Sequence, residues 1–275
     1  MNNLTQGILQ MNNTMKKTVL SVFAALLILG SDSKVAAQEV EFGVRYNPEF
    51  TGLLNKNDDN AGSALTPTSN FGYFSFGAGT IIYFDSNVGV AIDLLFSREG
   101  QRFSGNFNGG PPDPATYASI VHTQTNLNNI VIAGGYVAKA ELNYVKLPIM
   151  VSLTSDNSRP LFLTLLAGPQ INFLQSVAQE VNHTDTDYPA SSVVPQDLYK
   201  SVTIDGVVAV GIACRASTHM VLSARLRFDY GFGDVEKKDV MVSYSGAAPV
   251  LFYSADRQPT HSITGALMLG MDFIL

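Results

Sequence analysis

The sequence predicts an all-β protein, an eight-stranded antiparallel transmembrane β-barrel of the outer-membrane type. Three observations carry this. Eight segments alternate apolar and mixed residues over 12–16 positions, well beyond the ~5–6 residues of an ordinary strand. The connections between them alternate short and long, as in barrels with tight turns at one end and long loops at the other. An export signal precedes them.

The bulk composition agrees. Of 275 residues, 46% are apolar and only 15% charged, against about 25% charged in typical soluble domains. No run after residue 31 reaches the ~18 apolar residues of a membrane helix. An apolar excess without such a helix suits strands whose outer faces meet lipid. The 23 Gly, 16 Phe and 11 Tyr favour β structure over helix. A formal charge of −6 offers no basic surface, so no nucleic-acid partner is expected. The single cysteine, Cys214, excludes a disulfide framework and reads as a small apolar strand residue.

The N-terminal stretch reads as an address. A start at Met15 is followed by Lys16 and Lys17, then by eleven residues from Val19 to Leu29 that are apolar but for one serine. Val35-Ala36-Ala37 supplies small residues at −3 and −1, so cleavage is expected between Ala37 and Gln38. Residues 1–37 are the predicted signal peptide and 38–275 the barrel domain. Removing 1–37 takes away three lysines and one aspartate, which moves the charge from −6 to −8. No cysteine follows the apolar core of the signal, which excludes a lipoprotein.

The predicted strands are 40–53, 71–84, 88–103, 141–154, 161–174, 204–216, 220–232 and 261–275. Their faces separate by parity. Phe42, Val44, Tyr46 and Phe50 oppose Gly43, Arg45, Asn47 and Glu49. Val88, Val90, Ile92, Leu94 and Phe96 oppose Gly89, Ala91, Asp93, Leu95 and Ser97. Val145, Leu147, Ile149 and Val151 oppose Tyr144, Lys146, Pro148 and Met150. Leu222, Ala224, Leu226, Phe228, Tyr230 and Phe232 oppose Ser223, Arg225, Arg227, Asp229 and Gly231. The fifth and sixth segments are less clean, with Leu166 and Val207 on the mixed face. The connections 85–87, 155–160 and 217–219 are short; 54–70, 104–140, 175–203 and 233–260 are long and polar, and no segment shows a helical period. The last strand ends on Leu275 without a polar tail, as a strand that must pair to close a barrel requires.

The mixed faces hold Arg45, Glu49, Asp93, Glu99, Lys146, Asp205, Arg215, Arg225, Arg227, Asp229 and Asp272, five bases and six acids. An eight-stranded interior is about filled by side chains, so these read as a paired charge network rather than a catalytic lumen. Gly270, Phe273 and Leu275 form a glycine–aromatic–apolar terminal pattern, the expected signal to the barrel-insertion machinery. His122, His183, His219 and His261 lie in loops, turns or strand ends. The stretch His183-Thr-Asp185-Thr-Asp187 reads as a solvated loop rather than a metal site. No catalytic residue, cofactor or metal is expected.

Three stretches resemble a known family. "LNYVKLPIMVSL" (142–153) carries Leu142, Tyr144 and Pro148; "LLAGPQINFL" (165–174) carries Gly168 and Pro169; "LRFDYGFGDV" (226–235) carries Arg227, Phe228 and Gly231. In this order the chain resembles the PorT-like outer-membrane barrels over about residues 38–275, and more loosely the small OmpA/OmpX-type barrels. The resemblance implies an outer-membrane location. It implies little about activity, because the family is functionally mixed, with one branch needed for a protein-export and gliding machinery. The expected role is non-enzymatic, an interaction through long outer loops with both termini periplasmic. An accessory part in PorT-like secretion is the first alternative; a lipid-modifying barrel enzyme or a small pore is the next. Expected partners are outer-membrane lipid and lipopolysaccharide, the barrel-insertion machinery, and a secretion or surface complex.

Overall fold

The computed structural model describes residues 39–60, 66–107, 134–183, 198–238, 240–242, 250–252 and 258–275. The signal-peptide segment 1–37 lies outside the described residues, as do His122, Asp185 and Asp187. The wall strands are β1 (Glu39–Leu54), β2 (Thr66–Tyr83), β3 (Val88–Phe107), β4 (Gly134–Thr154), β5 (Leu161–His183), β6 (Val202–Ser217), β7 (Met220–Gly231) and, last in the chain, β10 (His261–Ile274). Every neighbouring pair is antiparallel, and β1 pairs with both β2 and β10, so the sheet closes. Closure leaves no wall edge to be stranded in lipid.

The eight strands match the sequence expectation, but several run longer. β3 continues to Phe107, β4 begins at Gly134 and β5 continues to His183, so parts of the expected loops 104–140 and 175–203 are strand. Beyond Ser97 the outer face of β3 turns polar with Arg98, Arg102 and Ser104, and the two-residue hydrophobic period that marks a strand fades while the hydrogen-bond ladder goes on. The stretch 54–70 contains a one-turn helix, α1 (Lys56–Asn60). The stretch 233–260 contains a small hairpin, β8 (Val240–Val242) with β9 (Val250–Phe252).

Side-chain alternation sorts inside from outside. Val44, Ile204, Leu163 and Leu226 stand 50–68% exposed on the outer wall. A continuous exposed apolar belt of this size is costly in water and favourable in hydrocarbon. Cys214 is on this outer face. The short turns are fixed by side chains. Asp85 Oδ1 accepts the amides of Asn87 (2.7 Å) and Val88 (2.8 Å), and Asn87 Nδ2 donates to the carbonyls of Thr154 (3.0 Å) and Ser155 (2.7 Å). The turn after β2 is thereby tied to the turn after β4. Asp156 accepts the Ser158 hydroxyl (2.5 Å) and amide (3.0 Å), and these bonds hold its carboxyl below the usual carboxylate range.

Candidate functional site

The inner face is the chemically rich part of the wall. At the short-turn end, Phe162, Ala213 and Val221 pack with Ile274. Above them an apolar layer of Ile81, Tyr83, Ala91, Met150, Leu166, Val207, Ala209 and Met268 fills part of the bore. This layer explains why Leu166 and Val207 sit on a face that is otherwise polar. Beside it, Arg45 donates to Asp272 and its Nε lies 3.4 Å from Asp93 Oδ1. Arg225 donates to the hydroxyls of Thr164 and Ser223, both at 2.8 Å.

The middle tier is a hub around Asp229. Arg227 grips that carboxylate with Nε at 2.8 Å and Nη2 at 3.0 Å, a two-pronged contact that a guanidinium suits. Lys146 Nζ donates to Glu99 and reaches Asp229 Oδ2 at 3.5 Å. Gln170 accepts from Arg227 and donates toward Asn172 (2.8 Å), Asp205 (3.4 Å) and Asp229 (3.4 Å). Glu49 takes bonds from Ser75 and, at 3.2 Å, from Ser97, while Thr264 donates to Glu99 at 3.0 Å.

The upper tier is apolar again. Leu53, Leu142, Tyr144, Leu174 and Val177 from the wall meet Leu198, Tyr199 and Val235 from the connecting segments, all buried. Tyr199 bridges Glu236 across the mouth, and Lys237 and Lys200 bond their amides to Leu198 O (2.8 Å) and Val235 O (2.9 Å). Asn55, Thr260 and Glu236 continue this closure, with Thr260 donating to Glu236 at 2.7 Å and Asn55 to Thr260 at 2.8 Å.

Of the charged residues read from the sequence, Arg45, Asp93 and Asp272 meet low in the bore, with Arg225 held by hydroxyls beside them. Lys146, Arg227, Asp229, Glu99 and Asp205 meet in the hub, and Glu49 joins through serines. Arg215 does not join. It sits at the short-turn rim, where Nη2 donates to both carboxylate oxygens of Glu39 (2.9 and 3.1 Å) and to the Asn157 carbonyl (2.8 Å). Glu41, absent from the sequence reading, is inward and 1% exposed. Its parity with Gly43 and Arg45 is the signal that finds it. Among the described residues the buried wall side chains therefore number four bases (Arg45, Lys146, Arg225, Arg227) to seven acids (Glu41, Glu49, Asp93, Glu99, Asp205, Asp229, Asp272). Neutral donors such as Ser75, Ser97, Gln170 and Thr264 complete what the bases cannot. Parity identifies inward positions but gives amides and hydroxyls no special weight.

The residues of the C-terminal pattern divide between the faces. Phe273 points outward and Leu275 is exposed, its amide bonded to Val40 O at 2.9 Å. Gly270 points inward. A Cβ there would lie 2.5 Å from Ser223 Oγ and 3.4 Å from the Arg45 guanidinium. Gly270→Val is therefore expected to push Ser223 off Arg225 and to cost about 1–3 kcal/mol, read as an earlier loss of the compact form on heating.

The profile of the outer membrane protein beta-barrel domain matches residues 36–237. The chain belongs to the outer membrane protein beta-barrel domain family. That membership places the protein in the outer membrane. The beta-barrel domain match ends before β10, so the structure supplies the closing strand. No curated protein matches the chain. Solved structures similar to this outer-membrane barrel include Ail, the attachment invasion locus protein of Yersinia pestis, at 9% identity over 86% of this chain and 99% of that one, TM-score 0.38. OprG of Pseudomonas aeruginosa is similar at 9% identity over 86% and 94%, TM-score 0.41. A major outer membrane protein of Thermus thermophilus is similar at 14% identity over 86% and 99%, TM-score 0.42.

Proposed function

We infer that this outer-membrane barrel is a non-enzymatic interaction protein of a Gram-negative cell, exported by residues 1–37 and displaying its long-loop end outside. The observation that supports the reading is strand length. β3, β4 and β5 run 20, 21 and 23 residues, where a tilted strand needs about 9–11 to cross the hydrocarbon. The surplus forms a polar wall beyond the apolar belt, with Arg98, Lys139, Glu141, Asn143 and Ser176 at its foot. A wall rigid by its ladder and polar on its outer face is suited to meeting a partner in water. Both termini, and the turns 85–87, 155–160 and 217–219, are periplasmic in this reading.

Protease added to whole cells is the test. Cleavage is expected within 104–140, 175–203 or 233–260, with the short turns spared. Cleavage at Arg159 in intact cells, with the long connections untouched, shows the opposite orientation and removes the reading. The mature protein is also expected in the outer-membrane fraction, running faster on unheated than on heated SDS gels.

A second reading is an accessory role in PorT-like secretion. Its support is the motif order, and the motif residues hold central positions. Tyr144 belongs to the upper apolar tier, Arg227 to the hub, and Gly168 lies against the Ile149 carbonyl. Co-purification with a secretion component favours this reading over an independent surface role. Gly270, Phe273 and Leu275 are proposed as the signal read by the insertion machinery. Phe273→Ala is expected to slow assembly in cells while leaving the purified barrel's melting temperature unchanged, because that side chain faces outward.

A further inference from the structure

One sector of the outer wall carries a linked run of aromatic side chains with cations beside it. On β1, β2 and β3 a run of outward aromatic side chains is linked ring to ring: Tyr46 lies 6.2 Å from Phe74, Phe74 6.1 Å from Phe76, Phe76 5.7 Å from Phe96, and Phe50 5.9 Å from Phe71, between ring centroids. Aromatic side chains also stand outward at the end of β7, where Tyr230 lies 6.0 Å from Phe232. The aromatic stripe ends where the wall is irregular. The β2–β3 register breaks between Ser69 and Ser75, and Gly72 adopts φ 90°, a left-handed conformation that favours glycine. Here β1 bonds β3 directly: the Thr51 hydroxyl accepts from the Gly100 amide (3.0 Å) and donates to its carbonyl (2.8 Å). The bulged β2 segment leaves Phe71 82% exposed.

Immediately above this stripe stand three cations. Arg98 is two residues beyond Phe96 on the same face of β3, and Arg102 pairs in register with Lys139 on β4. Arg98 and Arg102 are about 13 Å apart along the strand at ~3.3 Å per residue. Glu141 accepts from Lys139 at 2.5 Å and lies 3.9 Å from Arg98, and Asn143 accepts from Arg98 at 3.3 Å. Lys139 also stands 5.4 Å from the centre of the Tyr73 ring. These contacts fix where two of the cations point. Among the described side chains the cluster holds three cations and one carboxylate; Glu180 pairs with Lys139 in the β4–β5 register.

We propose that the β2–β4 sector binds a phosphorylated lipid of the outer leaflet, its phosphate on Arg98, Arg102 and Lys139 and its acyl chains along the Phe71–Phe76–Phe96 stripe. The occupant must be anionic at one end and apolar at the other, because the cationic row begins where the apolar belt stops. Guanidinium groups take phosphate oxygens two at a time, and the half-wet lipid boundary screens that contact less than open water does. An acidic polypeptide matches the cations but has no use for the aromatic stripe. The leaflet assignment rests on the orientation proposed above; the chemistry of the site does not.

The test uses the full mature chain in uncharged maltoside micelles, with a purified diphosphorylated lipid A as probe. Wild type is expected to bind it and to melt at a higher temperature in its presence. Arg98→Gln/Arg102→Gln/Lys139→Gln is expected to weaken binding at least tenfold. Phe76→Ala/Phe96→Ala is expected to weaken lipid binding several-fold. Arg159→Gln, at the opposite end, is expected to bind as wild type does. If the triple variant loses its heat-modifiable band, Arg102→Gln alone, on an exposed side chain, is expected to weaken binding about threefold. The proposal is overturned if the cation variants bind lipid A as wild type does. It is equally overturned if wild type binds inorganic phosphate or a poly-glutamate peptide as tightly as the lipid. Because micelles have no leaflets, inverted protease cleavage in cells refutes the orientation while leaving this binding result to stand or fall separately.

Discussion

Arg227→Ala is expected to lower the stability of the barrel by about 3–5 kcal/mol, the usual cost of removing one partner from a buried ion pair. Asp229 would lose both of its short contacts and keep only Lys146 at 3.5 Å and Gln170 at 3.4 Å. Gln170 would lose the donor to its carbonyl oxygen as well. The double variant Arg227→Met/Asp229→Leu is expected to cost much less, since it removes both charges and fills the space with apolar atoms. Urea unfolding in lipid vesicles, followed by the shift between compact and extended gel bands, measures both. A single variant as stable as wild type would mean that the guanidinium is not structural. A double variant as unstable as the single would mean that volume, not charge, decides.

The second large effect concerns solutes. Three tiers fill the bore in series: the lower apolar layer around Met150 and Met268, the Arg227–Asp229–Lys146 hub, and the upper apolar closure around Tyr144 and Tyr199. The purified protein in a planar bilayer is therefore expected to show no stable, porin-sized conductance. Tyr199→Ala removes a side chain from the upper tier alone and is expected to leave the barrel closed, because the two tiers below remain. Reproducible large channels from wild type, with Arg227→Ala changing ion selectivity and not stability, would make the protein a pore. Channels that open only in Tyr199→Ala would instead make the upper tier the sole seal.

Much of this architecture is legible in the sequence because lipid imposes a simple rule. Each wall strand must be apolar on alternate residues and its neighbours must be joined by turns, so parity and loop rhythm reveal strand number, order and facing. Parity also identifies Arg45, Asp93, Lys146, Arg225, Arg227, Asp229 and Asp272 as one inward set. It fails where the rule lapses. Past Ser97 on β3 and Phe173 on β5 the outer face no longer meets the apolar belt, so the strands continue without their hydrophobic period, and from residues 104 and 175 onward they read as loop. What tertiary structure alone decides is which inward residue meets which. Strand register and barrel stagger bring Arg227 to Gln170, 57 positions apart, and Lys146 to Glu99 and Asp229, 47 and 83 apart. The same stagger takes Arg215, which shares the inward parity, to the rim and Glu39. It also sets Leu198, Tyr199 and Val235, from two stretches without strand periodicity, onto the mouth of the barrel. Alternation along one strand is a local property of the chain; height in the bore is fixed by closure of the whole sheet.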